Sequence, residues 1–454
     1  MQPHFLQEDH LALATDLYQL TMGSAYHTYG KTSEATFEYF VRSLPDNRGY
    51  LIFAGLEQLL YYLKNLTFGE DDLDYLRNHS AFRNVPESFF SFLRSFRFSG
   101  SVDALAEGTP FFAMEPVVRI TAPIIEAQLI ETYLLSTLNF ETLIATKASR
   151  IVDAAKGRPV YDFGFRRAHG PGAAMLATRA AMIGGCMGTS NVLAAKELGV
   201  PAVGTMAHSW VMANDTEKEA FESFAKLFPN STLLIDTFDT AEGARLASKI
   251  PGIRAVRIDS GDLAAESAKV RRILDTGGRL DCKIIASGDL NEYKVPLLLT
   301  AGAPIDAFGI GTELVTSRDA PALGGVYKLV EQVVGDQRVG RMKSSPGKVT
   351  YPGQKQVYRK EAKNTFIGDI VAAVEEPSSG SALLERVMVK GEPIISFPPV
   401  ERIRERTREN VAKLPAGVRK GSEPEEYSVL FSRKLEEERR SLEAHLRKGN
   451  KETS

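Results

Sequence analysis

Apolar runs that end in polar or glycine-containing turns recur through the middle of the chain. Five of them lie at 203–209, 232–240, 255–262, 283–289 and 306–312, and helical patterns follow the first four. Strands that alternate with helices at this spacing are typical of parallel βαβ units. One more strand and helix precede them, at 158–167 and 177–185. Six or so units favour an irregular α/β barrel over the alternative, an open sheet.

The flanking segments have other patterns. Apolar residues at helical spacing predict helices over 11–29, 52–96 and 124–156, and alternation predicts a strand over 34–42. After residue 325 the chain is rich in short β runs with Gly, Pro and Lys turns, which indicates β-hairpins. The tail at 425–448 is a charged amphipathic helix with a solvated face.

Composition excludes several classes of protein. The 454 residues carry a formal net charge of −2, which offers no basic field to recruit nucleic acid or a membrane. Two cysteines, Cys186 and Cys282, are too few for a disulfide framework or a thiolate zinc site, and both are expected to be buried free thiols. The start of the chain does not have the pattern of a signal peptide, and no apolar run reaches membrane length. We therefore expect a cytoplasmic protein.

A histidine stands at the end of one predicted strand. The motif GTMAHSW (204–210) places His208 directly after a short apolar run, 200–206, which we interpret as a buried strand, and before a helical segment. Enzymes of the α/β class place catalytic groups at such strand ends. A lone histidine is more often a core or capping residue. Three further strand-end motifs favour the catalytic interpretation here.

Small residues cluster at the other strand ends. Ser-Gly-Asp occurs twice, at 260–262 and 287–289, and GIGT follows at 309–312. Small residues let backbone N–H groups approach an anion closely. A single Ser-Gly-Asp is also a common turn, but the three motifs together favour phosphate binding.

Charged side chains accompany these turns. Arg257 and Asp259 lie on one face of a strand, because side chains alternate with a period of two. With Asp262 and Asp289 they are candidates to bind ribose hydroxyls, or a Mg²⁺ whose remaining ligands are phosphate oxygens and water. The alternative for Arg257 and Asp259 is a structural ion pair.

The motif DFGFRR (162–167) combines aromatic and cationic side chains. Phe163 and Phe165 stand beside Arg166 and Arg167, a combination that suits a flat anionic aromatic ligand. The alternative is a core phenylalanine with surface arginines.

The motif GTSN (188–191) precedes a helical segment. Thr189 or Ser190 is the expected N-cap of that helix. A ligand carboxylate is an alternative partner for the same helix start.

Seven motifs, in the same order, resemble those of nicotinate phosphoribosyltransferases, of the type II phosphoribosyltransferase group, over roughly residues 12–360. They are TDLYQLTM, LNFETLIATKASR, DFGFRRAHG, GTSNVLAAKELGVPAVGTMAHSW, RIDSGDL, IIASGDLNEYKV and GIGTELVTS. The resemblance implies a barrel plus an α/β domain assembled from both ends of the chain. We therefore expect an N-terminal α/β domain at 1–122, the barrel at 123–325, and a C-terminal segment at 326–454 that returns to the N-terminal domain.

The resemblance also implies an activity. Phosphoribosyl would pass from phosphoribosyl pyrophosphate (PRPP) to nicotinate, giving nicotinate mononucleotide and pyrophosphate, the first step of NAD salvage from nicotinate. ATP hydrolysis would be coupled through a phosphohistidine, which the matching motif places at His208. Mg²⁺ would assist, and the enzyme would be a homodimer with shared active sites.

Site roles follow from the matched motifs. Tyr18 would stack on the pyridine ring from the neighbouring subunit, and Phe163 would form the other side of the slot. Arg257 and Thr205 would contact nicotinate, and Arg166 would lie at the ring and the pyrophosphate. Asp259 would hold the ribose. The expected phosphate-binding residues are Ser287, Gly288, Asp289, Gly309, Gly311 and Thr312.

Two comparisons with the family refine the expectation. Nicotinamide-using relatives carry an acidic residue where this chain has Ser190, so Ser190 favours nicotinate. No cysteine follows Cys282, so the cysteine-rich metal knuckle of some members is not expected. The alternatives are a nicotinamide or quinolinate phosphoribosyltransferase, or a catalytically silent phosphate-binding protein.

Overall fold

The computed structural model describes residues 8–345 and 348–452. Its α-helices are α1 (Leu17–Thr28), α2 (Leu56–Asn65), α3 (Glu70–Asn78), α4 (Glu87–Arg94), α5 (Ile124–Leu129), α6 (Glu131–Ala154), α7 (Pro171–Ile183), α8 (Val192–Leu198), α9 (His208–Met212), α10 (Glu217–Leu227), α11 (Thr240–Ser248), α12 (Leu263–Thr276), α13 (Lys294–Thr300), α14 (Thr312–Val315), α15 (Val400–Lys413) and α16 (Arg433–Glu452). Short 3-10 helices lie at Glu8–Leu13, Ser80–Phe82 and Phe165–Arg167.

The strands are β1 (Glu34–Val41), β2 (Leu51–Ile52), β3 (Ser101–Ala104), β4 (Pro110–Phe111), β5 (Val118–Pro123), β6 (Val160–Asp162), β7 (Thr232–Leu234), β8 (Ala255–Ile258), β9 (Lys283–Ala286), β10 (Ala307–Ile310), β11 (Gly325–Val334), β12 (Gln337–Gly340), β13 (Lys355–Ala362), β14 (Thr365–Ala373), β15 (Ser381–Ala382), β16 (Glu385–Val389), β17 (Glu392–Pro393) and β18 (Val429–Phe431). The predicted alternation of strands and helices through the centre is confirmed.

The central strands form one parallel sheet in the order β6-β10-β9-β8-β7. Beyond β6 the sheet continues only through single-residue bridges, Asp162 to Thr189 and Thr189 to Ala202. Within the described residues no ladder joins Ala202 to β7, so the structure shows no closed barrel. The predicted barrel is therefore not confirmed, and the observed form is an open parallel sheet with a bridged edge.

The predicted strand at 200–206 is wrong, and this accounts for the open edge. Only Ala202 bridges a neighbour. Pro201 has no N–H to donate to a ladder, and Gly204 favours a loop. His208 accordingly follows a loop and is the first residue of the short helix α9.

A second sheet draws its strands from both flanks of the sequence. Its order is β12-β11-β1-β5-β3-β16-β17, and all neighbours in it are antiparallel. Strands β15, β13, β14 and β18 form a further four-stranded sheet. The C-terminal hairpins are thus confirmed, whereas the domain boundaries at 122 and 325 stay a prediction.

Helix α6 connects the two main cores. Leu134 and Leu138 near its start pack in the core of the seven-stranded sheet, whereas Ala148 and Ile151 near its end pack against α7 and the parallel sheet. A helix shared by both cores couples the position of one sheet to that of the other.

Three smaller predictions are also tested. Cys186 and Cys282 are buried free thiols, as expected. The tail helix begins at Arg433 instead of 425, because residues 429–431 pair with β14 as a strand. Across residues 8–345 and 348–452 no helix is both long and apolar enough to cross a lipid bilayer.

Candidate functional site

Two adjoining cavities open where the strands of the parallel sheet end. The larger, about 320 Å³, is lined by Phe163, Phe165, Arg166, Ser190, Gly204, Thr205, Met206, Ala207, His208, Leu234, Arg257 and Asp259. The smaller, about 230 Å³, is lined by Phe163, Arg166, Arg167, Arg257, Asp259, Ser287, Gly288, Asp289, Gly309, Gly311 and Thr312. The structure thus brings together nearly all the candidate residues, and four of them line both cavities.

Arg257 and Asp259 form the wall between the cavities. The Arg257 guanidinium lies 2.6 Å from Asp259 Oδ1, and it also donates to Ser287 Oγ at 2.7 Å and to Thr205 Oγ1 at 3.0 Å. Its carbon Cζ stands 5.4 Å from the centre of the Phe163 ring. The sequence prediction that Arg257 and Asp259 share a face is confirmed, and three neighbours hold the guanidinium in place.

The Asp259 carboxyl stays charged despite partial burial. Burial alone would raise its pKa, but the hydrogen bond from Ser287 and the charge of Arg257 outweigh burial and lower the pKa below its ordinary value. Ser287 Oγ donates to Asp259 Oδ1 at 2.5 Å. The wall between the cavities therefore presents a carboxylate to a ligand at neutral pH.

His208 lines the larger cavity. Its Nδ1 atom lies 3.1 Å from Thr237 Oγ1 in the loop after β7. In the same loop, Asp236 accepts hydrogen bonds from the Asp259 backbone N–H at 2.8 Å and from Ser260 Oγ at 2.7 Å. Sequence reasoning recognised this strand end but did not select Asp236 or Thr237, although polar residues directly after a strand were the available signal.

Close packing explains the glycines of the smaller cavity. Gly288 has φ of +97°, and a Cβ there would lie 2.3 Å from the Asp259 carbonyl oxygen. At Gly309 a Cβ would lie 2.5 Å from the Phe163 ring. These positions keep the turns at 287–289 and 309–312 close to the wall, where backbone N–H groups and two arginines can meet an anion.

The first Ser-Gly-Asp triplet has a different place. Asp262 is the N-cap of α12, and its Oδ1 accepts from the backbone N–H groups of Ala264 at 3.0 Å and Ala265 at 3.2 Å. It is not among the residues that line either cavity. Only the second triplet, with Asp289, belongs to the site.

Ser190 lines the larger cavity, but the expected N-cap is wrong. Asn191 caps α8, and its Oδ1 accepts from the Ala194 N–H at 3.2 Å. Thr189 is unavailable because its hydroxyl donates to the buried Asp162 carboxylate at 2.8 Å. This leaves the Ser190 side chain free of a capping role, at the edge of the cavity.

Tyr18 lies apart from both cavities of its own chain. It is on α1, its side chain is half-exposed, and neither lining includes it. Among the residues described, no group of three or more His, Cys, Asp or Glu side chains is arranged to hold a metal ion.

Three family models match the chain. They are the nicotinate phosphoribosyltransferase N-terminal domain over residues 13–139, the nicotinate phosphoribosyltransferase family over 159–349 and the corresponding C-terminal domain over 372–439. The core model thus includes every cavity residue named above.

Named relatives and solved structures agree with the family models. Nicotinate phosphoribosyltransferase pncB2 of Mycobacterium tuberculosis is 45% identical over 416 residues, 90% of this chain and 88% of the relative. The Bacillus subtilis nicotinate phosphoribosyltransferase is 39% identical over 469 residues, 95% of each chain. The crystal structure of human nicotinic acid phosphoribosyltransferase matches with a TM-score of 0.83 at 25% identity, over 94% of this chain and 99% of that one.

Proposed function

The chain belongs to the nicotinate phosphoribosyltransferase family, and from this premise we propose a complete reaction for it. Phosphoribosyl passes from PRPP to nicotinate, giving nicotinate mononucleotide and pyrophosphate, the first step of NAD salvage from nicotinate. ATP hydrolysis is coupled to the transfer through phosphorylated His208. The buried free thiols suit the cytoplasm as its compartment.

One observation carries the proposal: an aromatic and cationic cavity and a glycine-lined cavity share the Arg257–Asp259 wall. Nicotinate fits the first and the 5′-phosphate of PRPP fits the second, so the ribose lies across the wall. The bond to pyrophosphate breaks with oxocarbenium character at the sugar. The Asp259 carboxylate holds the ribose hydroxyls there and stabilises positive charge as it develops. The nicotinate nitrogen then attacks from a preset position.

The larger cavity supplies recognition of nicotinate. Phe163 offers a ring face, and the Arg257 guanidinium with the Thr205 hydroxyl offers donors for the carboxylate. Ser190 leaves the cavity edge uncharged, which favours the acid over the amide. Tyr18 of a neighbouring subunit covers the second ring face in this proposal, since Tyr18 is half-exposed and lines neither cavity of its own chain. A homodimer with shared sites follows.

The smaller cavity supplies recognition of phosphate. Arg166 and Arg167 provide charge, Arg166 at the border with the nicotinate cavity where pyrophosphate departs. The turns provide small residues and backbone donors, namely Ser287, Gly288, Asp289, Gly309, Gly311 and Thr312.

Magnesium fits this cavity only with help from the substrate. Asp289 lines the cavity and would be the carboxylate ligand of Mg²⁺, since Asp259 is engaged by Arg257 and Ser287; phosphate oxygens and water would be the other ligands. Asp262 is committed to capping α12 and is not proposed as a ligand. When bound, the ion supplies positive charge to the departing pyrophosphate.

His208 provides the link to ATP. A ring nitrogen of His208 takes the γ-phosphoryl group as ADP leaves, and water later releases it as inorganic phosphate. The phosphoryl group adds negative charge beside the PRPP site while it is present. His208→Ala is therefore expected to abolish labelling by γ-labelled ATP and ATPase activity, and to leave a residual ATP-independent transfer. Label on the mutant protein would show that another residue carries the phosphoryl group.

The transfer itself is tested by product formation. Nicotinate mononucleotide should form from nicotinate, PRPP, Mg²⁺ and ATP, whereas nicotinamide and quinolinate should be poor substrates. Preferential use of either of these would overturn the assignment, and formation of no product would favour a catalytically silent protein.

A further inference from the structure

Lys147 on α6 lies outside both cavities, in the motif LNFETLIATKASR, and has no role in the site described above. Its side chain is fully buried. Its Nζ atom lies 2.7 Å from Glu292 Oε2, 2.7 Å from Asp319 Oδ1 and 3.7 Å from Glu313 Oε2. One buried ammonium therefore contacts three carboxylates.

The three carboxylates lie in the segments that follow the two turns of the smaller cavity. Glu292 follows the turn at 287–289 by three residues, and Glu313 is the residue directly after Thr312. Glu313 is on α14, and Asp319 lies in the loop that follows this helix. Lys147 thus connects the segments that follow the two turns without lining the cavity itself.

Two arginines complete the network without replacing the lysine. Arg48 donates to Asp319 at 2.8 and 2.9 Å, and Arg150 donates to Glu292 at 3.1 Å. Burial alone would raise the pKa of Asp319, but Arg48 and Lys147 lower it well below its usual range. Arg48 also faces both carboxylates, at 2.8 Å from Asp319 and 3.8 Å from Glu292, but Lys147 is the cation that lies 2.7 Å from each of them.

We propose that Lys147 is a positioning residue for the phosphate-binding turns, a buried cation that sets the distance between 287–289 and 309–312. The inference rests on the proposed function, because it takes these turns to bind the 5′-phosphate. The paired strands β9 and β10 and the contacts with Asp259 hold the starts of the turns, and the carboxylates that Lys147 pairs hold the segments that follow them. The spacing of the turns therefore depends on both sets of contacts. Without Lys147, buried carboxylates repel one another and the turns separate.

The test compares two ligands that differ by a phosphate. Binding of nicotinate mononucleotide and of nicotinate riboside, which lacks the 5′-phosphate, is measured by calorimetry in wild type and Lys147→Met. The variant should bind the mononucleotide about 10- to 100-fold more weakly, the worth of one or two charge-assisted hydrogen bonds. Its affinity for the riboside should remain within about threefold of wild type.

Lys355→Met is the matched control. Lys355 is also buried and pairs with a buried carboxylate, Glu38, at 2.8 Å, but neither residue lines a cavity. The control should lose stability and yet keep the affinity for both ligands. A merely structural role of Lys147 would make the two variants alike.

Asp319→Asn provides a second, milder variant, because Asp319 is partly exposed. It should show the same selective loss to a smaller degree, and it serves if Lys147→Met does not fold. Equal weakening of both ligands, or no weakening of the mononucleotide, in the folded variants overturns the inference. If wild type itself fails to prefer the mononucleotide over the riboside, the proposed phosphate site fails instead.

Discussion

Two groups of ion pairs in this protein have similar distances but differ in how far their side chains are exposed. At the cavities, Arg257 lies 2.6 Å from Asp259, and both side chains keep some exposure, 13% and 26%. Between α2, α6 and α7, Arg179 lies 2.6 Å from Glu107, and their exposures are 6% and 2%. The first pair lines two cavities and is accessible to a small molecule, whereas the second is closed to solvent. The length of an ion pair therefore does not show whether a ligand can reach it, whereas the exposed fraction of its side chains does.

The enclosed group is also more crowded with charge. Arg179 contacts Glu57 at 2.6 Å and Glu141 at 3.3 Å in addition to Glu107. Burial raises the pKa of Glu141, the nearby Arg179 lowers it in part and Glu107 raises it further, so that the pKa is about 8. At Asp259 the balance is reversed and the pKa is lowered. The two regions consequently respond to pH with opposite signs.

The largest expected effect is on stability, from removal of the enclosed cation. Arg179→Met leaves buried carboxylates without their partner and should lower the free energy of unfolding by about 3–5 kcal/mol. The folded fraction should keep kcat/KM close to wild type, since Arg179 lines neither cavity. Denaturant unfolding and assays on the folded fraction measure the two quantities. If Arg179→Met lowered kcat/KM without lowering stability, the proposed difference between the Arg179 and Arg257 regions would be wrong.

The second effect is on catalysis, from neutralising the exposed carboxylate. Asp259→Asn should lower kcat/KM for PRPP about 100-fold, roughly 3 kcal/mol, because the amide loses the anionic acceptor for the ribose. Stability should fall by less than in Arg179→Met, because Asp259 and Arg257 are partly exposed. Asp262→Asn is the matched control, since Asn also serves as an N-cap and Asp262 lies outside the cavities. Normal PRPP saturation in Asp259→Asn would make the pair merely structural.

The third effect concerns selectivity. Ser190→Asp places a second negative charge beside the nicotinate carboxylate and should lower kcat/KM for nicotinate about 30-fold, roughly 2 kcal/mol. Some use of nicotinamide should appear, because the neutral amide avoids the repulsion. Ser223→Asp adds the same charge on the exposed face of α10 and should change nothing. An unchanged ratio of kcat/KM for nicotinate to kcat/KM for nicotinamide would show that Ser190 does not contact the pyridine ligand.

The smallest expected effect is a change in the free energy of unfolding with pH. Glu141 is protonated in the folded protein below about pH 8 but ionised in the unfolded chain above about pH 4.3. The stabilisation from its raised pKa is complete below the unfolded pKa and is lost as pH rises through the folded value. Unfolding free energy should therefore fall by about 1 kcal/mol between pH 7 and pH 8, and Glu141→Gln should remove this fall. An identical slope in the variant would contradict the assignment.

The effect of Asp259 on stability has the opposite dependence on pH to that of Glu141. Its folded pKa is lowered, so its stabilisation is present above the unfolded pKa and is lost as pH falls through the folded value. Asp259 stays charged between pH 5 and pH 8. If the activity falls as the pH is lowered through this range, we expect the fall to come from another group. In the pH profile of kcat/KM, Asp259→Asn should therefore leave the midpoint of such a fall unchanged.

Local chemistry in the sequence determined much of the fold and of the site. Alternating strands and helices predicted the βαβ centre, and a period of two placed Arg257 and Asp259 on one face. The Ser-Gly-Asp and GIGT motifs predicted turns that line the smaller cavity, and GTMAHSW pointed to His208, which lines the larger one. Such features depend on neighbours in the chain, which is why they can be predicted without knowledge of the fold.

Tertiary structure decided what depends on distant partners. The barrel does not close, because strand pairing at 200–206 is limited to Ala202. Asn191 caps α8 because Thr189 is held by Asp162, and Asp262 serves a helix and not the cavity. Hydrogen bonds and ion pairs over long sequence separations compete for the same polar groups, and the outcome depends on which groups the fold brings within reach.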